Sequence, residues 1–214
     1  MAERYQQQSA LAHFGLSARA TSDQNESECG VWLGEHAFRG QINLRGDPGK
    51  KTFMDAVAKV TGSRLPTKPN TSAGPDDPQA GPRALWLALG EWLVVTVPGA
   101  EEETARSLAE ATADCGGTVT DVSDARTVIA MGGRHARDVL MKGCPLDLHP
   151  AAFEPGACAQ SLLALATVIL YRGADPSEAD VSAFEIHVAR SFADYLWTWL
   201  EDAADEYGVH IIEG

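Results

Sequence analysis

The sequence predicts an α+β fold made of two tandem βαββαβ, ferredoxin-like units, each an antiparallel sheet with its helices on one face. Three observations predict it. Segments of alternating or β-branched character and segments of three-four apolar spacing follow one another in the same order twice, over about residues 41–122 and 125–212. Glycine and proline fall between these segments rather than inside them. The length, 214 residues, is enough to bury about 70% of the unfolded surface. The two halves share no visible sequence identity, so the repeat is one of architecture. The organisation expected is an N-terminal arm over 1–28 and a single domain over 29–214.

The arm is polar apart from a short apolar patch from Leu11 to Leu16 that includes Phe14. Val31-Trp-Leu and Gln41-Ile-Asn-Leu read as strands, with Gly46-Asp-Pro-Gly as a turn. Thr52 to Val60 reads as a helix because Phe53, Ala56, Val57 and Val60 share one face, and Gly62 closes it. Ser63 to Pro82 holds five prolines and reads as a long surface loop without regular structure. Strands follow at Arg83 to Leu89 and Glu91 to Val97. Glu101 to Ala113 reads as a helix with three glutamates in its first turn, where the helix dipole favours them. Thr118 to Val122 completes the first half.

The second half opens with a strand, Thr127 to Met131, a Gly132-Gly133 turn and a helix from Arg134 to Lys142. Gly143 stands where a left-handed C-cap is expected, and Pro145 blocks continuation. A proline-rich loop, Pro145 to Gly156, carries Asp147, His149 and Phe153. Cys158 to Arg172 reads as one long strand with a bend or bulge, and Ala183 to Ala189 as another. A helix from Ser191 to Tyr207 is expected to be capped by Ser191. Its apolar stripe is Phe192, Leu196, Trp199, Leu200 and Ala203, with Trp197 off it. Val209 to Ile212 is the last strand.

Composition excludes several functions. A net charge of −13 argues against nucleic acid and against an anionic membrane surface. The longest apolar run, Leu162 to Leu170, is too short to cross a bilayer. The first residues lack the apolar segment of a secretory leader. Four cysteines without disulfide-framework spacing suggest free thiols in the cytoplasm.

Candidate chemistry is sparse. Cys144, His149 and Cys158 lie close in sequence, but their spacing fits no usual zinc pattern and no fourth ligand is near. Neither cysteine starts a helix that would activate it as a nucleophile. Gly46-Asp-Pro-Gly-Lys-Lys-Thr misses P-loop spacing, so Lys50 and Lys51 read as solvated residues, and there is no dinucleotide fingerprint. Asp121 and Asp124 flank Ser123, where capping of backbone amides is the usual role; Arg126 is expected to pair with one of them. No catalytic, cofactor-binding or metal residue is assigned.

The residues also resemble a family. Ser9-Ala-Leu-Ala-His, Ile42-Asn-Leu-Arg-Gly-Asp-Pro, Leu65-Pro-Thr-Lys-Pro-Asn-Thr, Asp121-Val-Ser-Asp-Ala-Arg-Thr-Val, Lys142-Gly-Cys-Pro-Leu-Asp-Leu-His-Pro, Phe153-Glu-Pro-Gly-Ala-Cys-Ala-Gln and Arg190-Ser-Phe-Ala-Asp-Tyr-Leu-Trp resemble the gamma subunit of heterotetrameric sarcosine oxidase. Ala88-Leu-Gly and Met131-Gly-Gly depart from the family's usual turns. The resemblance implies the fold of the folate-binding domain of glycine-cleavage aminomethyltransferases. It implies alpha, beta and delta partner subunits, which together demethylate sarcosine with oxygen to glycine, hydrogen peroxide and a one-carbon unit passed to tetrahydrofolate. It places the flavins (FAD and FMN) and the substrate site with beta or its interface with alpha. NAD and the tetrahydrofolate site fall to alpha and zinc to delta, leaving no cofactor in this chain. The alternative is a stand-alone folate-binding or one-carbon transfer protein, for which Asp147 and Arg126 are the candidate ligands.

A chain that contributes by contact needs contact residues. Leu11, Phe14 and Leu16 of the arm, His149 and Phe153 of the central loop, and Trp197, the residue type favoured as an interface anchor, are the expected ones.

Overall fold

The computed structural model describes residues 7–22, 29–174 and 182–213. A short helix α1 (Leu16–Ser22) precedes β1 (Val31–His36) and β2 (Gly40–Arg45). Then come α2 (Lys51–Thr61), β3 (Ser72–Ala73), β4 (Arg83–Ala88), β5 (Glu91–Thr96), α3 (Glu101–Thr112) and β6 (Thr118–Asp121). The second half has β7 (Arg126–Gly133), α4 (Ala136–Met141), β8 (Cys158–Leu163), β9 (Ala166–Arg172), β10 (Ser182–Ala189), α5 (Arg190–Ala204) and β11 (Val209–Ile211). The strands form a six-stranded sheet, β11-β1-β7-β10-β9-β8, and a five-stranded sheet, β3-β4-β5-β2-β6. The mixed α+β class and the two sheets are as expected from element order.

Strand alternation settles the layers. On β10, Phe184, Ile186 and Val188 join a core with Leu196, Trp197 and Leu200 of α5 and Val139 and Leu140 of α4. On β5 and β2, Trp92, Val94, Ile42 and Leu44 join Phe53 and Val57 of α2 and Leu108 of α3. The remaining faces meet: Leu85, Leu93 and Val95 of the smaller sheet touch Cys158, Ile169 and Tyr171 of the larger. The result is four layers, helices–sheet–sheet–helices, because a sheet covered on one side must still bury the other.

Three expectations about the second half are corrected, and the first strand finds its partners there. The run from Cys158 to Arg172 is a hairpin, with Leu163 opposite Ala166. Its sharp turn passes through Ala164, whose φ is +51°. No glycine or asparagine marks that turn, so the apolar run hid it. Val31–His36 precedes the first half yet lies in the second sheet, antiparallel to β7 and parallel to β11; alternation predicts a strand but not its partner. Gly143 does not adopt a left-handed φ, and a Cβ there would come 2.7 Å from the Trp199 ring and 2.9 Å from the Ala164 nitrogen. Close approach, not backbone handedness, requires glycine at this position. Gly132 and Gly133 belong to β7, and Trp32 lies across Gly132 where any Cβ would meet its ring at 2.1 Å.

The 63–82 segment carries the two-residue β3 and a 3-10 turn, and it straps the two sheets together. Its Pro66 carbonyl accepts the Trp92 indole N–H at 2.8 Å, and Asn70 O accepts Cys158 N–H at 3.0 Å. The described part of the arm, residues 7–22, is bound as well; its other residues lie outside the described ones. Leu11 is fully buried in the helix-side core, with Phe14 and Leu16 half-buried against it.

The α5 stripe is rotated from expectation. Ala193, Leu196, Trp197, Leu200 and Ala204 face the sheet, while Phe192 is 44% exposed. Counting only large side chains misplaced the face; two alanines let the helix approach β10 closely. Ala189, not Ser191, precedes the helix, and no side chain caps it. Trp197→Ala is therefore expected to cost the isolated chain about 3–5 kcal/mol of folding stability, read from denaturant unfolding. A loss below about 1 kcal/mol would show that Trp197 is not part of the core.

Candidate functional site

The seam between the sheets is where polar chemistry is buried. With Phe184, Ile186 and Val188 facing the helices, Glu185 and His187 on β10 face the smaller sheet. Tyr171 on β9 and Arg83 on β4 reach the same place by the same alternation. Arg83, 3% exposed, forms an ion pair with Glu185, and its guanidinium lies 3.9 Å from the Tyr171 ring centroid. Its Nη1 donates to Asp76 O at 3.2 Å, and the Tyr171 hydroxyl donates to the Asp76 carboxylate. His36 Nδ1 and His187 Nε2 each lie 3.7 Å from a Glu185 oxygen. That distance is beyond an ordinary hydrogen bond, so the histidines act on the carboxylate through its electrostatic surroundings. A cavity of about 200 Å³ adjoins the cluster, lined among others by Trp32, Asp76, Arg83, Tyr171, Phe184 and Glu185.

The electrostatics follow from burial. Burial works against the charge of Glu185, but His187, His36 and Arg83 outweigh it and hold the carboxyl well below the usual range. Burial lowers the His187 pKa although Glu185 pulls the other way, so its imidazole is neutral near pH 7. Burial pushes the Tyr171 phenol up. Removing one member of the Arg83–Glu185 pair would strand the other and cost about 3–5 kcal/mol. The arrangement is a clamp across the two sheets. Ionisable side chains inside a strand that is covered on both faces, Glu185 and His187 between Phe184, Ile186 and Val188, were its sequence signal.

The expected site residues do not converge. Cys144 lies in the helix-side core, 3.9 Å from the Ser161 hydroxyl. Cys158 lies on the opposite face of the six-stranded sheet, in the seam, with its Sγ 3.3 Å from Thr71 O. The sheet separates the two sulfurs, and His149 is exposed on the loop. Burial pushes the Cys158 thiol up to about 11, the reverse of what a nucleophile needs. Asp147 accepts the backbone N–H of His149 at 2.9 Å, closing a local turn. Arg126 begins β7 and adds positive charge near His187, so Asp147 and Arg126 hold separate places in the fold. Asp121 accepts the Ser123 N–H at 2.9 Å, as a capping residue does.

The contact residues proposed from sequence are largely internal. Leu11 and Trp197 are fully buried and Phe153 is 6% exposed, all three in the chain's own core. The central loop is held from within: the buried Arg172 guanidinium donates to Phe153 O at 2.5 Å and reaches Pro150 O at 3.4 Å. Burying Phe153 is what lets so proline-rich a loop keep one shape. Of the six residues, His149 alone is exposed.

Two outcomes are expected. In the unfolded chain His187 titrates near pH 6.5. Below that pH the unfolded chain takes up a proton that the folded chain refuses, so stability falls as pH falls from about 6.5. Glu185 acts in the same sense at lower pH: its contribution is present above about pH 4.3 and is lost as pH falls through its depressed folded value. His187→Gln should flatten the slope of stability between about pH 6.5 and 5 by up to about 1.4 kcal/mol per pH unit. Parallel denaturation curves for wild type and variant would show that His187 protonates freely in the fold. For Cys158, the native thiol at pH 8 should be about a thousandth ionised, from its value near 11. Mass-spectrometric alkylation should then leave Cys158 unmodified until the chain unfolds; rapid labelling of native protein would contradict the seam placement.

Residues 45–206 match the family model "Sarcosine oxidase, gamma subunit family". The chain is 36% identical over 177 residues to the sarcosine oxidase subunit gamma of Corynebacterium sp. (strain P-1), covering 83% of this chain and 81% of that one. It is 34% identical over 201 residues to the subunit of the same name from Corynebacterium sp. (strain U-96), covering 93% and 90%. Its structure matches a chain of the heterotetrameric sarcosine oxidase from Corynebacterium sp. U-96 with a TM-score of 0.80 at 31% identity, over 94% of this chain and 96% of that one. The glycine cleavage system aminomethyltransferase T from Bartonella henselae shares the fold, with a TM-score of 0.64 at 15% identity, over 87% of this chain and 48% of the enzyme. The chain belongs to the sarcosine oxidase gamma subunit family.

Proposed function

We propose that the chain is the gamma subunit of a heterotetrameric sarcosine oxidase and that it serves the enzyme by contact rather than by chemistry of its own. One observation carries the reading: the structural match to a chain of such an enzyme is end to end, 94% of this chain on 96% of that one. The partners proposed are the alpha, beta and delta subunits. FAD, FMN, NAD, tetrahydrofolate and zinc are assigned to them, and oxidative demethylation of sarcosine to the assembled enzyme. The seam supports this division of labour, because its ionisable side chains engage one another across the sheets. The setting proposed is the cytoplasm, in keeping with cysteines that form no disulfide among the described residues. Among the described residues no helix is long and apolar enough to cross a membrane.

Co-expression of this chain with the three other subunits tests the proposal. Native mass measurement should find one species containing all four. Omitting this chain should lower the yield of assembled, sarcosine-dependent peroxide-forming enzyme. An assembly that forms and turns over equally well without it, with this chain eluting alone, would overturn the proposal.

A further inference from the structure

The residues expected to make contacts are mostly buried, so the surface that docks has to be sought elsewhere. Seven large apolar side chains are exposed among the described residues, and most gather at one end of the six-stranded sheet. Leu165, 78% exposed, stands at the tip of the β8–β9 hairpin, while Leu162, 51% exposed, alternates with the core-facing Leu163 and so points to the other face of the sheet beside the tip. Phe192 and Tyr195, three residues apart and so on one side of α5, are 44% and 37% exposed. The two elements are joined: the Tyr195 hydroxyl accepts the Leu165 N–H at 3.3 Å. Met141, 63% exposed, ends α4 just before Gly143, whose carbonyl accepts the Ala164 N–H at 3.0 Å. Scattered single hydrophobics are ordinary on a protein surface, but a contiguous group on tied elements marks an interaction site.

The tip is built to hold its shape. Ala164 keeps φ at +51° without the freedom of glycine, and the Trp199 ring packs where a Gly143 side chain would otherwise stand. A loop fixed in this way loses little freedom on docking. Charge decides between occupants. Asp202 and Asp194, the latter 3.1 Å from His13 Nε2, lie on the exposed side of α5, and the chain as a whole carries −13. A second copy would bring the same acidic surface against itself, whereas a partner with an apolar projection rimmed by lysine or arginine would meet opposite charge.

We propose that the β8–β9 tip and the Phe192–Tyr195 side of α5 form the docking surface for a different subunit of the assembly, one presenting an apolar projection with a basic rim. This rests on the reading of the chain as a subunit of a hetero-oligomer. The test uses the co-expressed complex with Leu165→Asp and, separately, Phe192→Asp. Both sites are exposed, and an acid in the first turn of α5 suits the helix dipole, so each variant should fold with an unchanged melting temperature when alone. Phe38→Asp, at an exposed apolar position in the β1–β2 turn, is the control. Each test variant should lower the amount of this chain recovered with the other subunits at least tenfold, and the control should not. Recovery unchanged in both test variants, with wild type assembling normally, would overturn the docking surface while leaving the subunit assignment intact. Failure of wild type to assemble would overturn both. Loss of a homodimer in the variants, with the hetero-complex retained, would assign the surface to a second copy instead and overturn the proposal.

Discussion

The structure depends on how two sheets, each already covered by helices on one face, close their remaining faces on one another. A purely apolar seam would leave their register weakly specified, since hydrophobic contact is non-directional. Here a small apolar patch, Leu85, Leu93 and Val95 against Cys158, Ile169 and Tyr171, sits beside a charged clamp. Arg83 from one sheet pairs with Glu185 from the other and stacks on Tyr171. A buried pair of this kind adds little net stability over an apolar equivalent, but it is costly to mismatch. Its effect is to fix which strand faces which. The strap around Asp76, which accepts from Tyr171 and offers its carbonyl to Arg83, closes the same cluster from outside.

That constraint explains the strand order. β1 is made early in the chain, yet it sits between β11 and β7, where His36 comes within 3.7 Å of Glu185. The chain therefore crosses from the larger sheet to the smaller and back again. The smaller sheet is built from strands of the first half alone, whereas the larger adds β1 to strands of the second, and a division at residues 122–125 separates β1 from the strands it pairs with. The arm follows the same logic. Leu11 fills the helix-side core, and Phe14 comes within 6.1 Å of the Trp197 ring. A segment that looks like a free extension in the sequence is part of the packing.

Local physics was legible in the sequence and long-range pairing was not. Strands and helices were found where alternation or three-four spacing was strong: Glu91–Thr96, Lys51–Thr61 and Glu101–Thr112 fall within two residues of expectation. The turn at Ala164 was invisible because it lacks turn residues, so β8 and β9 read as one strand. Trp197 was placed at an interface because small residues were discounted. Ala193 and Ala204 define the buried face of α5 as much as Leu196 does, and counting them rotates the stripe onto Trp197. The charged clamp was hidden for a different reason. Glu185 on an antiparallel strand reads as solvent-facing unless a second sheet is known to cover that face. The family resemblance, carried by loop sequences such as Lys142 to Pro150, needed no fold prediction at all.

The same loops show what such sequences do in the fold. Cys158, Asn70, Phe153 and Arg172 meet where the strap, the central loop and the larger sheet join. Asn70 O accepts from Cys158 N–H, and Arg172 donates to Phe153 O. A buried guanidinium that holds loop carbonyls tolerates few replacements, because losing it leaves those carbonyls unpaired in the core. Cys144 and Cys158, which lie close in the sequence, are buried on opposite faces of the larger sheet, and the buried Arg172 is committed to loop carbonyls. They fix the shape of one end of the molecule, and at the other end the hairpin tip holds its apolar side chains toward solvent. A subunit that acts by contact requires both: a framework locked by internal polar pairs, and an apolar surface that the framework holds still.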